Sequence, residues 1–367
     1  MSTPHKPLLM FFVLGCVCAA AAAEDAEHRG RGNIIPPPPT PILSVSTIPS
    51  NGDSNPYGVA FVPEGFPTDG LLTPGDLVVS NFNDGAGVQG TGTTILRVSQ
   101  AGGPATLFFQ GQPGLGLTTA LGVLEGGFVI AGSVPTTDGA CDTITAGSLL
   151  IIDRNGNLVL TLTDSQFLDG PWDLTIHDHH DRAHVFIANV LSGTVTRLDL
   201  RITHEGSSVE VESKTQIASG YGTACNAAAV VVGPTGLAYD PQGDLLYVAS
   251  TDDNEIFVVR DAAHRKSDAG TGRLVYRDPV HLHGPLALAL APNGHLITAN
   301  GDAINMDPAQ LSEIVEFTKD GRFVSQFQID AIIGSAFGLA VQSSDDHVLF
   351  AAVDDNTSML EEWSEDR

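Results

Sequence analysis

One short pattern recurs six times along this chain, and it constrains the fold more than any other feature. A Pro or Gly leads into an apolar strand; a turn, a second apolar strand ending in a small or polar residue, a loop and a third strand follow. The clearest copy runs Gly233-Pro234-Thr235-Gly236-Leu237-Ala238-Tyr239-Asp240. It continues through the turn Pro241-Gln242-Gly243-Asp244 to Leu245-Leu246-Tyr247-Val248-Ala249-Ser250. Glu255 to Val259 supplies its third strand and Arg273 to Tyr276 its fourth. Other copies begin at Pro56-Tyr57-Gly58, Thr119-Ala120-Leu121, Gly170-Pro171-Trp172, Gly284-Pro285-Leu286 and Ala336-Phe337-Gly338.

Four-stranded units in series, apolar on both faces, cannot bury themselves alone. Packed in a ring, each covers its neighbour, which predicts an all-β, six-bladed propeller. The 40 Gly and 22 Pro, with only 16% charged residues, agree with many turns between short strands. Asp307 to Glu316 is the one stretch with a mildly helical pattern. The last copy ends after a third strand, and the segment Ile42 to Ile48 has no partner of its own. It is therefore expected to supply the outer strand of the last blade, closing the ring and removing an exposed strand edge. The propeller is expected to span residues 42–367 as one domain.

The stretch Gly233 to Val259 resembles the NHL repeat and the blades of gluconolactonase-like (senescence-marker-protein) propellers. The shared features are the Pro-x-Gly-Leu-Ala opening, the Asp-x-x-Gly turn, the Leu-Tyr-Val-Ala strand and the Asn-x-Ile that follows. The resemblance implies the fold over nearly the whole mature chain. In the gluconolactonase-like proteins a Glu, an Asn and an Asp on inner strand ends hold a metal. The sharpest copy here has Thr235 and Ser250 where the Asn and Asp would stand, and Asn55 before Pro56 is the nearest substitute for the Glu.

At the start of the chain a positive region, the apolar run Leu8 to Val17 and small residues ending at Ala23 read as a secretory signal, residues 1–23. A rival reading takes Val13-Leu14-Gly15-Cys16 as a lipoprotein box, with Cys16 lipidated. Residues 24–41, charged and then Pro-rich, read as a tether. No later stretch is long and apolar enough to span a bilayer. The chain is thus expected to be exported, secreted or periplasmic, and monomeric. Removal of the leader leaves Cys141 and Cys225, expected to form a disulfide in an oxidising compartment. The net charge of −26 argues against nucleic acid. It suits solubility, calcium or a cationic ligand. Asn356-Thr357-Ser358 is a glycosylation sequon.

If strands run outwards from the ring centre, the loops after each second strand and the links between blades share one face. That face carries the long segments Asp84 to Thr93, Ser133 to Ala146, Ser219 to Val232 and Gly301 to Leu311, and long loops are where function concentrates. Candidate ligand-binding residues there are Tyr57, Asn81, Asp84, Asn189, Asp252, His283, Asn300 and Asp302. Asn81, Asn189 and Asn300 end second strands in alternate blades and are the candidate metal ligands, since oxygen donors suit calcium. Asp354 also ends a second strand. Asn and Asp at such places equally make turns. Trp172 is expected in the core, while Tyr57 is core or channel lining. His177, His179 and His180, with Asp178 and Asp181, fall in a turn on the opposite face, where a solvated turn is expected. No nucleophile elbow or phosphate loop is present. Two functions follow as expectations. The first is a binding scaffold whose loop-rich face takes a protein, peptide or glycan. The alternative, implied by the resemblance, is a calcium-assisted hydrolase of lactones or similar esters.

Overall fold

The computed structural model describes residues 32–203, 208–344 and 347–366. The signal-peptide reading, residues 1–23 with Cys16, lies outside the described residues.

Among the described residues twenty-six strands make six four-stranded antiparallel blades and one small hairpin. β1 is Leu43–Ser46. The first blade is β2 (Ser54–Phe61), β3 (Leu77–Asn83), β4 (Thr94–Val98) and β5 (Thr106–Gln110). The second is β6 (Leu117–Leu124), β7 (Phe128–Ser133), β8 (Ser148–Asp153) and β9 (Leu158–Leu162). The third is β10 (Pro171–Asp178), β11 (Arg182–Asn189), β12 (Thr194–Ile202) and β13 (Val209–Ser219). The hairpin β14 (Ala224–Asn226) and β15 (Val230–Val232) stands in the next link. The fourth blade is β16 (Pro234–Asp240), β17 (Leu245–Ser250), β18 (Glu255–Arg260) and β19 (Arg273–Tyr276). The fifth is β20 (Pro285–Leu290), β21 (Leu296–Asn300), β22 (Glu313–Phe317) and β23 (Phe323–Gln328). The sixth is β24 (Ala336–Ser343), β25 (His347–Asp354) and β26 (Met359–Asp366), completed by β1. β1 pairs with β26 from Leu43↔Glu362 to Ser46↔Met359, the ring closure expected from the sequence.

The recurring glycine has a steric cause. A Cβ on Gly236 would lie 2.5 Å from the backbone of Ala287 and Leu288, and one on Gly338 would lie 2.4 Å from the Tyr57 carbonyl oxygen. Neighbouring inner strands approach so closely at these two glycines that a side chain has no room. The other blades place Ala120, Ala287 and, in the third, Asp173 at the same point of the repeat.

Six apolar clusters lie between successive blades, one for each blade pair, and this explains strands buried on both faces. Asp307 to Glu316 does not form a helix: Glu313–Phe317 is a fully buried inner-blade strand, its Ile314 and Val315 facing opposite neighbours. Within residues read as tether, Ile34 and Ile35 are buried in the cluster between the fifth and sixth blades. Both of their N–H groups donate to the fully buried Glu316 carboxylate at 2.8 Å. Cys141 and Cys225 are joined in a disulfide that ties the β7–β8 loop to β14. Among the described residues no helix is long and apolar enough to cross a membrane.

Candidate functional site

The ring centre is divided by a plug. Tyr57 stacks on Phe82 with ring centroids 4.6 Å apart, Phe337 lies 4.7 Å from Tyr57, and Trp172 meets Tyr57 and Phe82 edge-on at 6.1 and 5.6 Å. Val230, Val231 and Leu286 pack against these rings. Trp172 is thus core, as expected, and burial drives the Tyr57 phenol well above its ordinary range, so it stays protonated. Below the plug, a well of about 380 Å³ runs to the short-turn face. Every inner strand gives its walls apolar side chains, among them Val59, Leu121, Leu174, Leu237, Leu288 and Leu339. Asp173 is the carboxylate in this wall, and desolvation by the surrounding strands raises it well above the usual carboxylate range.

Above the plug, on the loop-rich face, lies a separate cavity of about 190 Å³. Tyr57, Phe82 and Phe337 form its aromatic side, and Asn55, Asp302 and Asp355 its polar side. Ala228 and Ala229, from the turn of the disulfide-tied β14–β15 hairpin, complete it. Asn55 and Asp302 are 7% and 5% exposed, and each leaves its Oδ1 buried without a hydrogen-bond partner. Asp302 is fixed by its other oxygen, which accepts from the Ser312 and Gly334 backbone N–H groups at 2.9 Å. Asn55 is oriented by its amide NH₂, which donates to Asn83 at 3.4 Å. Asp355 is half-buried, and among the described residues its carboxylate makes no hydrogen bond or ion pair. Burial, and then the neighbouring Asp354 carboxylate, push it up to about 7. An unpaired buried oxygen costs about 1–3 kcal/mol, and two of the residues that line this cavity carry one.

Of the residues expected to bind ligand, Tyr57 and Asp302 therefore line this cavity. The others hold the loops. The Asn81 amide donates to the Thr47 carbonyl and the Thr94 hydroxyl. Asn189 accepts from the Asp169 N–H and donates to the Phe167 carbonyl. Asn300 accepts from the His283 N–H and donates to the His281 carbonyl. These three candidate metal ligands thus turn to the links of their own blades, where each bridges the link to a second strand. Both ring nitrogens of His283 rest on carbonyls, those of Asn305 and Val280. Asp84 accepts from Ala86 and Val88 within its own turn. Asp252 sits against the Gly222 link in the fourth blade. Asn55 entered the sequence reading only as a substitute for a missing Glu, and Asp355, Phe82, Phe337 and Gln89 did not enter it as binding residues. The doubled acid Asp354-Asp355 was the available signal.

On the opposite face His177, His179 and His184 cluster with ring centroids 4.1 to 6.1 Å apart, while His180 turns away to Glu125. Among the described residues no three His, Cys, Asp or Glu side chains are placed to hold a metal ion. Near the start of the inner strands the repeat places Tyr57, Thr119, Trp172, Thr235, Leu286 and Phe337. The Glu, Asn and Asp set implied by the resemblance is not offered there, and the aromatic plug fills the space.

No protein-family model matches the chain, and no curated protein matches it by sequence. Solved structures do match in fold. A gluconolactonase of Xanthomonas campestris is 13% identical, with 86% of this chain and 87% of that chain covered and a TM-score of 0.52. The calcium-binding protein regucalcin of Agrobacterium tumefaciens is 13% identical over 88% and 95%, at 0.51. The major allergen Mala s 1 of Malassezia sympodialis is 12% identical over 88% and 94%, also at 0.51. At such identities the likeness is one of fold.

Proposed function

We propose that this chain is an exported binding protein that takes its ligand in the loop-face cavity between Asn55, Asp302 and Asp355. The supporting observation is the pair of buried, unpaired oxygens on Asn55 and Asp302, held in a cavity with an aromatic side under a disulfide-tied hairpin. Export is supported by the leader-like composition of residues 1–23. The test is a thermal-shift screen of small amines, sugars and peptides on the unmodified chain and on Ala228→Trp, which places an indole at the cavity edge. Hits that vanish in Ala228→Trp are expected. Hits that persist unchanged place the ligand elsewhere and defeat the proposal.

A second reading, a calcium-assisted hydrolase of lactones or similar esters, is favoured by the ring shared with the gluconolactonase and regucalcin. It requires metal ligands other than the inner strand starts. Metal content of the purified chain, with a lactone screen, separates the two: stoichiometric divalent metal with lactone turnover supports the hydrolase.

A further inference from the structure

We propose that the loop-face cavity recognises a primary ammonium group, the cationic end of a small organic amine. This rests on the reading of that cavity as the ligand site and specifies what fills it. What the cavity lacks is positive charge. Asn55, Asp302 and Asp355 line it, the first two each with a buried oxygen that has no hydrogen-bond partner, and no Lys or Arg is among its lining residues. A carboxylate or phosphate ligand would bring acceptors to acceptors. A primary ammonium carries three N–H donors and no acceptor, matching three oxygens from three residues. A quaternary ammonium has no N–H and would leave those oxygens unpaired. A calcium-class ion takes 6–8 oxygens, more than these three side chains offer.

The second side of the cavity fits the same ligand. Tyr57, Phe82 and Phe337 offer aromatic surface, which attracts a desolvated cation and packs on the methylenes behind it. Neutral sugars also stack on aromatic rings, but their ring oxygens need donors. The Asn55 NH₂ is directed to Asn83, and the Gln89 NH₂ to the Ala228 carbonyl. The net charge of −26 adds long-range attraction for a cation.

Acceptor geometry makes two substitutions informative. Oδ2 of Asp302 must remain an oxygen to accept from Ser312 and Gly334. Asp302→Asn therefore puts an NH₂ at the Oδ1 position and converts an acceptor into a donor. Asn55→Asp keeps an oxygen at Oδ1 and adds charge, and the Asn83 amide must then turn its NH₂ towards the new carboxylate.

The experiment is calorimetric titration of the full mature chain at pH 8 with n-butylammonium, n-butanol, tetramethylammonium and calcium chloride, each alone. The expected result is one n-butylammonium site, with n-butanol and tetramethylammonium at least tenfold weaker. Asp302→Asn should weaken n-butylammonium at least tenfold while unfolding as cooperatively as the parent. Asn55→Asp should tighten it severalfold, a gain that loss of structure cannot produce. Equal binding of n-butanol and n-butylammonium overturns the assignment, as does calcium saturating the site at lower concentration than the amine, or no amine binding at all. A neutral ligand that binds the parent and is lost in Ala228→Trp would overturn the ammonium assignment alone. Amine binding that survives Ala228→Trp, Asp302→Asn and Asn55→Asp unchanged would overturn the cavity as well.

Discussion

Replacing Asp355 by Asn should make the protein more stable, and only on the alkaline side. In the folded chain burial and the Asp354 carboxylate raise Asp355 from 3.8 to about 7. The folded state then holds a proton that the unfolded state releases between those values, so stability falls as pH rises through that window and stays low above it. A rise of that size corresponds to about 4 kcal/mol. Asp355 is half-buried and faces the cavity, so water screening reduces the figure to about 2–3 kcal/mol. Asparagine keeps the shape and removes the charge. Compared with the parent, Asp355→Asn should show no gain below pH 4 and about 2–3 kcal/mol above pH 8. For a unit of this size that is about 3–5 °C in Tm. Denaturant unfolding of both chains at pH 4, 6 and 8 measures the difference directly. A difference that does not grow with pH would refute the reasoning, because it would show that Asp355 ionises in the folded state as easily as in the unfolded one. The same substitution should remove amine binding, which makes Asp355 a residue kept at a cost to stability.

Three further outcomes are expected. Gly236→Ala pushes a Cβ to 2.5 Å from the Ala287 and Leu288 backbone and should cost about 2–4 kcal/mol in chemical denaturation; a loss below 1 kcal/mol would show that the inner strands can spread. Cys141→Ser with Cys225→Ser should lower stability by about 2–4 kcal/mol and weaken ligand capture, since the bridge spans 84 positions and anchors the hairpin that carries Ala228 and Ala229; unchanged capture would uncouple the hairpin from the site. A chain starting at Ile42 should lose about 3–5 kcal/mol relative to one starting at Asn33, from two buried isoleucines and two hydrogen bonds to Glu316; equal stability would make residues 33–41 a dispensable strap.

The ring was legible because its cause is local and repeated. Gly58, Gly236 and Gly338 sit where inner strands nearly touch, so the openings of these three copies carry the packing constraint in their own letters. The closing strand was legible by default, since the last blade lacked one strand and Leu43–Ser46 had no other partner. The cavity was far less so. Asn81 and Asn55 are both asparagines at a strand end. Asn81 donates into the Thr47 link, while Asn55 adopts a left-handed backbone with φ of 60° and lines the cavity; both leave an amide oxygen buried without a partner. Attention to Asp354, at the end of a second strand, fell one residue short: the Thr357 hydroxyl engages Asp354 at 2.6 Å, and Asp355 is left to the cavity. The Asp307 to Glu316 stretch reads as helical because Leu311, Ile314 and Val315 fall at i, i+3 and i+4, although Ile314 and Val315 lie side by side in a strand buried on both faces.

The most direct test of the loop-face site is a high-resolution crystal structure of the mature chain grown with millimolar n-butylammonium at pH 8. The expected result is density for the amine in the cavity, its nitrogen within hydrogen-bond distance of Asn55 Oδ1, Asp302 Oδ1 and the Asp355 carboxylate. Ordered waters satisfying all three oxygens, with the amine absent or bound elsewhere, would contradict it.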